Sequence, residues 1–216
     1  MSRRDETIDA ATAGCQLLLI GPPRLEPAPF AAELDAALAI GGIAGFLLDL
    51  DAVGGAPGDA ARRAGGLRAL CADHAVAFLL RDHVAPALEV GADGVHLGLG
   101  AADVATTRTA LGAERILGVS CGHSRDAAMV AGEAGADYVA FGRPGEAAGQ
   151  EVYDLLAWWS ELFVLPCLAE VAVTADDCAL LARAGADFVA AGGAVWSHPD
   201  GAAAAVRRLR TAIEAA

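Results

Sequence analysis

Asp49 and Asp51 stand two residues apart, directly behind the apolar run Ile43–Leu48. Arg81, Asp82 and His83 follow a second apolar run, His96 lies inside a third, and Ser120, Cys121 and His123 close a fourth. Arg143, Glu170 and the pair Gly192–Gly193 end three more. These residue types support three kinds of chemistry. Ser120, His123 and Asp82 form a candidate catalytic set, in which an imidazole could move a proton near neutral pH. Arg81, His96, Cys121, Arg143, Gly192 and Gly193 are candidates for holding a small substrate. Asp82, together with Asp49, Asp51 and Glu170, offers hard oxygen donors of the kind that suit Mg²⁺ or Mn²⁺.

Each residue also has a plainer role open to it. A histidine within a strand is often a satisfied packing residue. Asp49 and Asp51 suit helix caps or solvated loop acids. Arg81 and Asp82 suit a local ion pair, and Cys121 a small apolar filler. Trp158, Trp159 and Trp196 suit packing or subunit contacts, which leaves a homo-oligomer open. What raises the set above its members is convergence, since many of its polar groups fall where an apolar run ends.

The elements that would place them there announce themselves by repetition. The chain writes GADGVHLG at 91–98, GADYVAFG at 135–142 and GADFVAAG at 185–192. In each copy a helical run stops at glycine, which adopts the left-handed conformation that ends a helix. Ala-Asp turns the chain, and a short apolar run follows, of the kind buried on both faces of a parallel sheet. Each copy is therefore a helix-to-strand joint. The remaining apolar runs predict strands at Gln16–Ile20, Ile43–Leu48, Val76–Leu80, Gly94–Leu97, Ile116–Ser120, Tyr138–Phe141, Pro166–Ala169 and Phe188–Ala191. Helical patterns fall at Phe30–Ile40, Asp59–Asp73, Val84–Val90, Ala102–Leu111, Arg125–Ala134, Asp154–Leu162, Ala175–Ala184 and Ala203–Ala215. Strict alternation of the two predicts a single-domain (β/α)8 TIM barrel over residues 15–216, with residues 1–14 a flexible tail. The joints precede strands 4, 6 and 8. Their aspartates then sit at the bottom face and cap turns, while the polar set lines the mouth. An open doubly wound sheet is disfavoured, because the turn after strand 1 reads GPPRLEP and prolines lack the amide donors of a phosphate loop.

Composition narrows the function further. A formal charge of −13 argues against nucleic-acid or anionic-membrane partners. Five cysteines, with no CxxC, form neither a disulfide framework nor a zinc spacing and point to the cytoplasm. No uncharged stretch is long enough to span a bilayer.

Four segments carry a resemblance. They are LLLIGPPRL, FLLRDHVAPALEVGADGVHLG, ILGVSCGHSRDAAMVAGEAGADYVAFG and LPCLAEVAVTADDCALLARAGADFVAAGGAVW. In these the chain resembles the thiamine-phosphate synthase family, which includes a thiazole tautomerase. The resemblance implies the same barrel. It also implies a transferase of thiamine biosynthesis that joins a pyrimidine diphosphate to a thiazole phosphate with magnesium and releases pyrophosphate. Its ligand would be a phosphorylated thiazole or pyrimidine.

The chain departs from the family where the chemistry is expected. The family's Gln-Leu-Arg-x-Lys after strand 2 reads Leu47-Leu48-Asp49-Leu50-Asp51, so two cations of the pyrophosphate clamp have become acids. The Asn-Asp after strand 3 reads Arg81-Asp82, keeping one magnesium carboxylate. Gly-Gln-Glu-Asp after strand 4 reads Gly98-Leu99-Gly100-Ala101, losing the other. The Pro-Thr-x-Thr-Lys loop reads RPGEAAGQEVYD, and the phosphate-binding Gly-Gly after strand 7 reads Val171-Ala172 behind Glu170. An acid replacing a cation about 5 Å from a phosphoryl charge turns roughly 3 kcal/mol of attraction into similar repulsion, at an effective dielectric near 20. Two such reversals outweigh the roughly 8 kcal/mol that holds a micromolar ligand. The expectation is a synthase relative whose reaction is lost or altered. The alternatives are a non-catalytic ligand-binding or regulatory relative and a tautomerase-like enzyme using His123.

Overall fold

The structure, a computed structural model, describes residues 14–99 and 103–216. The expected tail (1–14) lies outside these residues but for Gly14, and so do Gly100, Ala101 and the expected helix start at Ala102.

Eight parallel strands close into a barrel in chain order. They are β1 (Gln16–Ile20), β2 (Ile43–Leu48), β3 (Ala77–Arg81), β4 (Gly94–Leu97), β5 (Ile116–Gly122), β6 (Tyr138–Phe141), β7 (Cys167–Ala169) and β8 (Phe188–Ala191). Eleven helices are seen among the described residues. They are α1 (Pro27–Leu38), α2 (Leu50–Val53), α3 (Pro57–Arg63), α4 (Gly65–Asp73), α5 (Val84–Val90), α6 (Val104–Leu111), α7 (Arg125–Glu133), α8 (Gln150–Leu162), α9 (Ala175–Arg183), α10 (Gly193–Trp196) and α11 (Ala202–Glu214). The single helix expected over Asp59–Asp73 is two, α3 and α4, which meet at Ala64. Pro57 opens the first, and the Gly65–Gly66 pair weakens helical continuity at the joint. The turn after strand 8 forms the four-residue helix α10. Among the described residues no helix is long and apolar enough to cross a membrane.

Strand alternation sorts the core into two shells. Leu17, Leu19, Phe46, Phe78, Leu80, Val95, Val139, Phe141 and Val189 pack outward against the helices. Leu18, Leu47, Ala77, Leu79, Ile116, Tyr138, Ala140, Leu168, Phe188 and Ala190 fill the barrel interior.

The three repeats are one joint built three times. Gly91, Gly135 and Gly185 have φ of 68°, 94° and 97°, the left-handed region where a side chain is strained. The following alanine amides reach back to Ala87, Ala131 and Leu181 and close each helix. Each aspartate then grips the neighbouring strand twice. Its amide donates to a carbonyl, and its carboxylate accepts from the amide of the same residue: Phe78 for Asp93, Leu117 for Asp137, Cys167 for Asp187. The carboxylate distances are all 2.8 Å. The aspartates thus seal the open amides at the barrel floor, where a strand would otherwise leave them unpaired. Asp137 also receives Arg108 from α6 at 2.5 Å.

Candidate functional site

At the top of the barrel the inward positions become polar. Alternation turns Arg81 of β3, His96 of β4, Ser120 of β5, Tyr138 of β6 and Glu170, one residue past β7, toward the axis. Arg81, His96, Gly118 and Tyr138 are register partners across successive strands. Gly118 is the gap in that row. A Cβ there would lie 2.1 Å from Tyr138 Cζ. Without it, the Tyr138 ring crosses β5 and stacks on His96, with centroids 5.6 Å apart.

The five side chains form one connected chain of hydrogen bonds. Tyr138 Oη and His96 Nδ1 share a bond of 2.8 Å. His96 Nε2 lies 2.8 Å from Ser120 Oγ and 3.5 Å from Glu170 Oε1. Ser120 Oγ donates to Glu170 Oε2, and Arg81 Nη2 donates to Glu170 Oε1 at 2.9 Å. With the serine hydrogen committed to Glu170, Nε2 of His96 carries a hydrogen and donates to Ser120 Oγ. His96, Tyr138 and Glu170 are buried, and the Arg81 side chain is 16% exposed. Since β3 and β7 face each other in the ring, the Arg81–Glu170 pair bars the mouth.

Burial alone would raise the Glu170 carboxyl. The hydrogen bond and charge of His96, the charge of Arg81 and the Ser120 bond outweigh it and hold the group at about 2. The Tyr138 phenol moves the other way, raised by burial and by the Glu170 charge.

The other expected residues scatter around this centre. Asp49 caps α2, its carboxylate accepting from the Asp51 amide at 2.9 Å, and Asp51 is exposed in the first turn. Asp82 takes a left-handed φ of 59° and accepts from the Gly98 amide at 2.7 Å, pinning the loop after β4. Cys121 points outward among the helix-facing apolar side chains, and burial pushes its thiol up to about 12. It does not reach the mouth. His123 is clamped by two carboxylates: Nε2 to Glu146 at 2.9 Å and Nδ1 to Glu151 at 2.8 Å. The Glu146 bond leads the causes that raise its pKa above the ordinary 6.5. Arg143 is exposed.

Gly192 and Gly193 open α10 beside a cavity of about 400 Å³, over the ends of β1, β7 and β8. Ile20, Pro22, Pro144, Val171, Ala172 and Trp196 give it apolar walls, Glu170 also lines it, and among the described residues no arginine does. The Trp196 indole donates to the Ile20 carbonyl at 2.6 Å, which fixes one wall. The Ala172 amide donates to the Glu146 carbonyl at 2.7 Å, so it is not presented to the cavity.

This donor set does not fit a divalent cation held by the protein. Asp49 caps a helix, Glu170 is saturated by Arg81, His96 and Ser120, and Asp82 accepts from the Gly98 amide. Among the described residues no three His, Cys, Asp or Glu side chains gather into a metal-holding group. The four carboxylates expected as metal ligands are thus not brought together.

Tyr138 and Gly118 are members of this centre that sequence reasoning passed over. A signal for Tyr138 existed. The fourth and sixth positions of the repeats hold Gly94 and His96, Tyr138 and Ala140, Phe188 and Ala190, and all six share the inward phase. A hydroxyl at such a position needs a buried partner.

Comparisons with known proteins agree with this architecture. The family described as thiamine monophosphate synthase matches residues 17–195. A thiamine-phosphate synthase of Rhodospirillum centenum is 44% identical over 201 residues, covering 89% of this chain and 94% of that protein. One of Erythrobacter litoralis is 48% identical over 152 residues, covering 67% and 71%. A thiamine phosphate pyrophosphorylase from Pyrococcus furiosus superposes with a TM-score of 0.77 at 25% identity, covering 93% of this chain and 96% of that one. With a closed eightfold barrel and matches of this extent, the chain belongs to the thiamine monophosphate synthase family.

Proposed function

We propose that this chain is a thiamine-biosynthesis barrel of the cytoplasm in which the synthase reaction of its relatives has been lost or altered. The observation that carries this reading is the Arg81–Glu170 pair. Arg81, which stands where the family pattern has asparagine, is spent on a carboxylate of the chain itself. A diphosphate at the mouth would meet Asp49 and Asp51 where the family pattern has cations, and the inward cation there is already neutralised. The loss of the Gly-Gly after β7 adds to this, since the Ala172 amide is bonded to Glu146. Among the described residues the carboxylates do not gather into a site for magnesium, which the family reaction uses.

What remains is a small-molecule cavity of about 400 Å³ above β1, β7 and β8, with apolar walls and the first amides of α10 at one edge. It supports binding of a thiazole- or pyrimidine-sized ligand without the diphosphate chemistry. Gly192 and Gly193 would border that ligand. A tautomerase-like role for His123 is opposed by the two glutamates that occupy both its ring nitrogens.

A working synthase is the second reading, favoured by the 44% identity over 94% of the Rhodospirillum centenum protein. The test is formation of thiamine phosphate from the pyrimidine diphosphate and the thiazole phosphate, alongside growth rescue of a synthase-deficient strain. We expect neither. Turnover with Mg²⁺, abolished by Asp82→Ala, would sink the proposal.

A further inference from the structure

The contacts around Glu170 have the form of a ligand site. Its two carboxylate oxygens take a guanidinium from β3, a hydroxyl from β5 and the edge of an imidazole from β4. None of these donors is a neighbour of Glu170 in sequence, and all project from the rigid barrel wall. Two of them have support besides Glu170: His96 is held by Tyr138 and by Ser120, and Ser120 by His96. His96 and Ser120 would therefore keep their places if the carboxylate were withdrawn, and with Arg81 they would border a space continuous with the cavity that Glu170 lines over β1, β7 and β8.

We propose that Glu170 is an internal ligand: Arg81, Ser120 and His96 form a pocket for one carboxylate-sized anion, which the chain fills with its own side chain. The occupied pocket closes the barrel interior to carboxylates and phosphates from outside. Shortening residue 170 opens it to a small monoanion such as formate or acetate. This rests on the geometry of the donors and not on loss of the synthase reaction; a chain that proved to be a synthase would leave the test below unaffected.

The test is rescue of the shortened variant by a free anion. Glu170→Ala is expected to melt below the native chain. Formate or acetate should then raise its melting temperature saturably, by about 3 °C at tenfold above the dissociation constant. Acetamide, of similar shape but uncharged, and chloride at matched ionic strength should not. The native chain should show no saturable shift, because its pocket is full. Glu170→Ala combined with Arg81→Gln should lose the response. If Glu170→Ala does not stay folded in dilute buffer, refolding yield with and without formate reads the same quantity. Equal formate effects in the native chain, in Glu170→Ala and in the double variant would overturn the proposal, as would a Glu170→Ala protein, folded or refolding, indifferent to formate.

Discussion

Arg81→Met separates a structural bar from an incidental contact. The substitution keeps the length and apolar stem of residue 81 and removes the charge that faces Glu170 at 2.9 Å. Glu170 is then a buried carboxylate with Ser120 and His96 but no guanidinium. In the native chain its pKa falls from the ordinary 4.5 to about 2, which corresponds to roughly 3 kcal/mol at 1.36 kcal/mol per pKa unit. Because the folded value is depressed, that stabilisation is present above pH 4.5 and drains away as the pH falls toward 2. Breaking a buried pair from one side costs about 3–5 kcal/mol, whereas replacing both partners by apolar groups is often near neutral. Urea unfolding followed by circular dichroism at pH 7 should therefore show Arg81→Met destabilised by about 3 kcal/mol. For a chain of this size that is a fall of about 6–12 °C in melting temperature. Arg81→Met with Glu170→Met should recover most of it. The acid-induced loss between pH 4.5 and 2 should be shallower in both variants than in the native chain. A loss under about 1 kcal/mol for Arg81→Met, with the native acid limb intact, would refute the reasoning, because Glu170 would then owe nothing to Arg81.

Other perturbations read other parts of the barrel. Gly118→Ala places a methyl against the Tyr138 ring, and we expect a loss of about 1–3 kcal/mol in urea unfolding, with disrupted Tyr138–His96 stacking visible in near-ultraviolet circular dichroism. Asp137→Ala strips the Leu117 amide and Arg108 of their shared partner, and a cost of about 3 kcal/mol is expected in urea unfolding. Asp49→Arg with Asp51→Lys restores the cationic pattern of the family after strand 2, and pyrophosphate affinity measured by calorimetry should rise at least tenfold if those acids repel polyanions. His123 should titrate above the ordinary 6.5 by NMR because Glu146 and Glu151 favour its charged form. The small stabilisation it lends is complete below pH 6.5 and lost as the pH rises through the raised value; His123→Gln should flatten that slope.

Much of this molecule was decided by local sequence. The Gly-Ala-Asp joints end helices and begin strands through backbone chemistry confined to a few residues, and the eight apolar runs alternate with helical patterns whatever lies across the barrel. That local logic suffices for the architecture and for the strand ends where polar side chains collect. It also hints at the depletion of cations, since Asp49 and Asp51 occupy their positions irrespective of packing.

The partners of those side chains were decided only in three dimensions. Closure of the ring sets β3 against β7, so Arg81 meets Glu170 from 89 residues away, and a carboxylate that in sequence looks like a repellent rim becomes a neutralised buried bar. Register sets Tyr138 beside Gly118 and His96, a contact that depends on a missing side chain in the strand between. The phase of β5 sends Ser120 inward and Cys121 outward, although the two are adjacent. Periodicity tells which residues share a face. Only the closed barrel, through its register and diameter, determines which faces touch, and the charge of the mouth follows from those contacts.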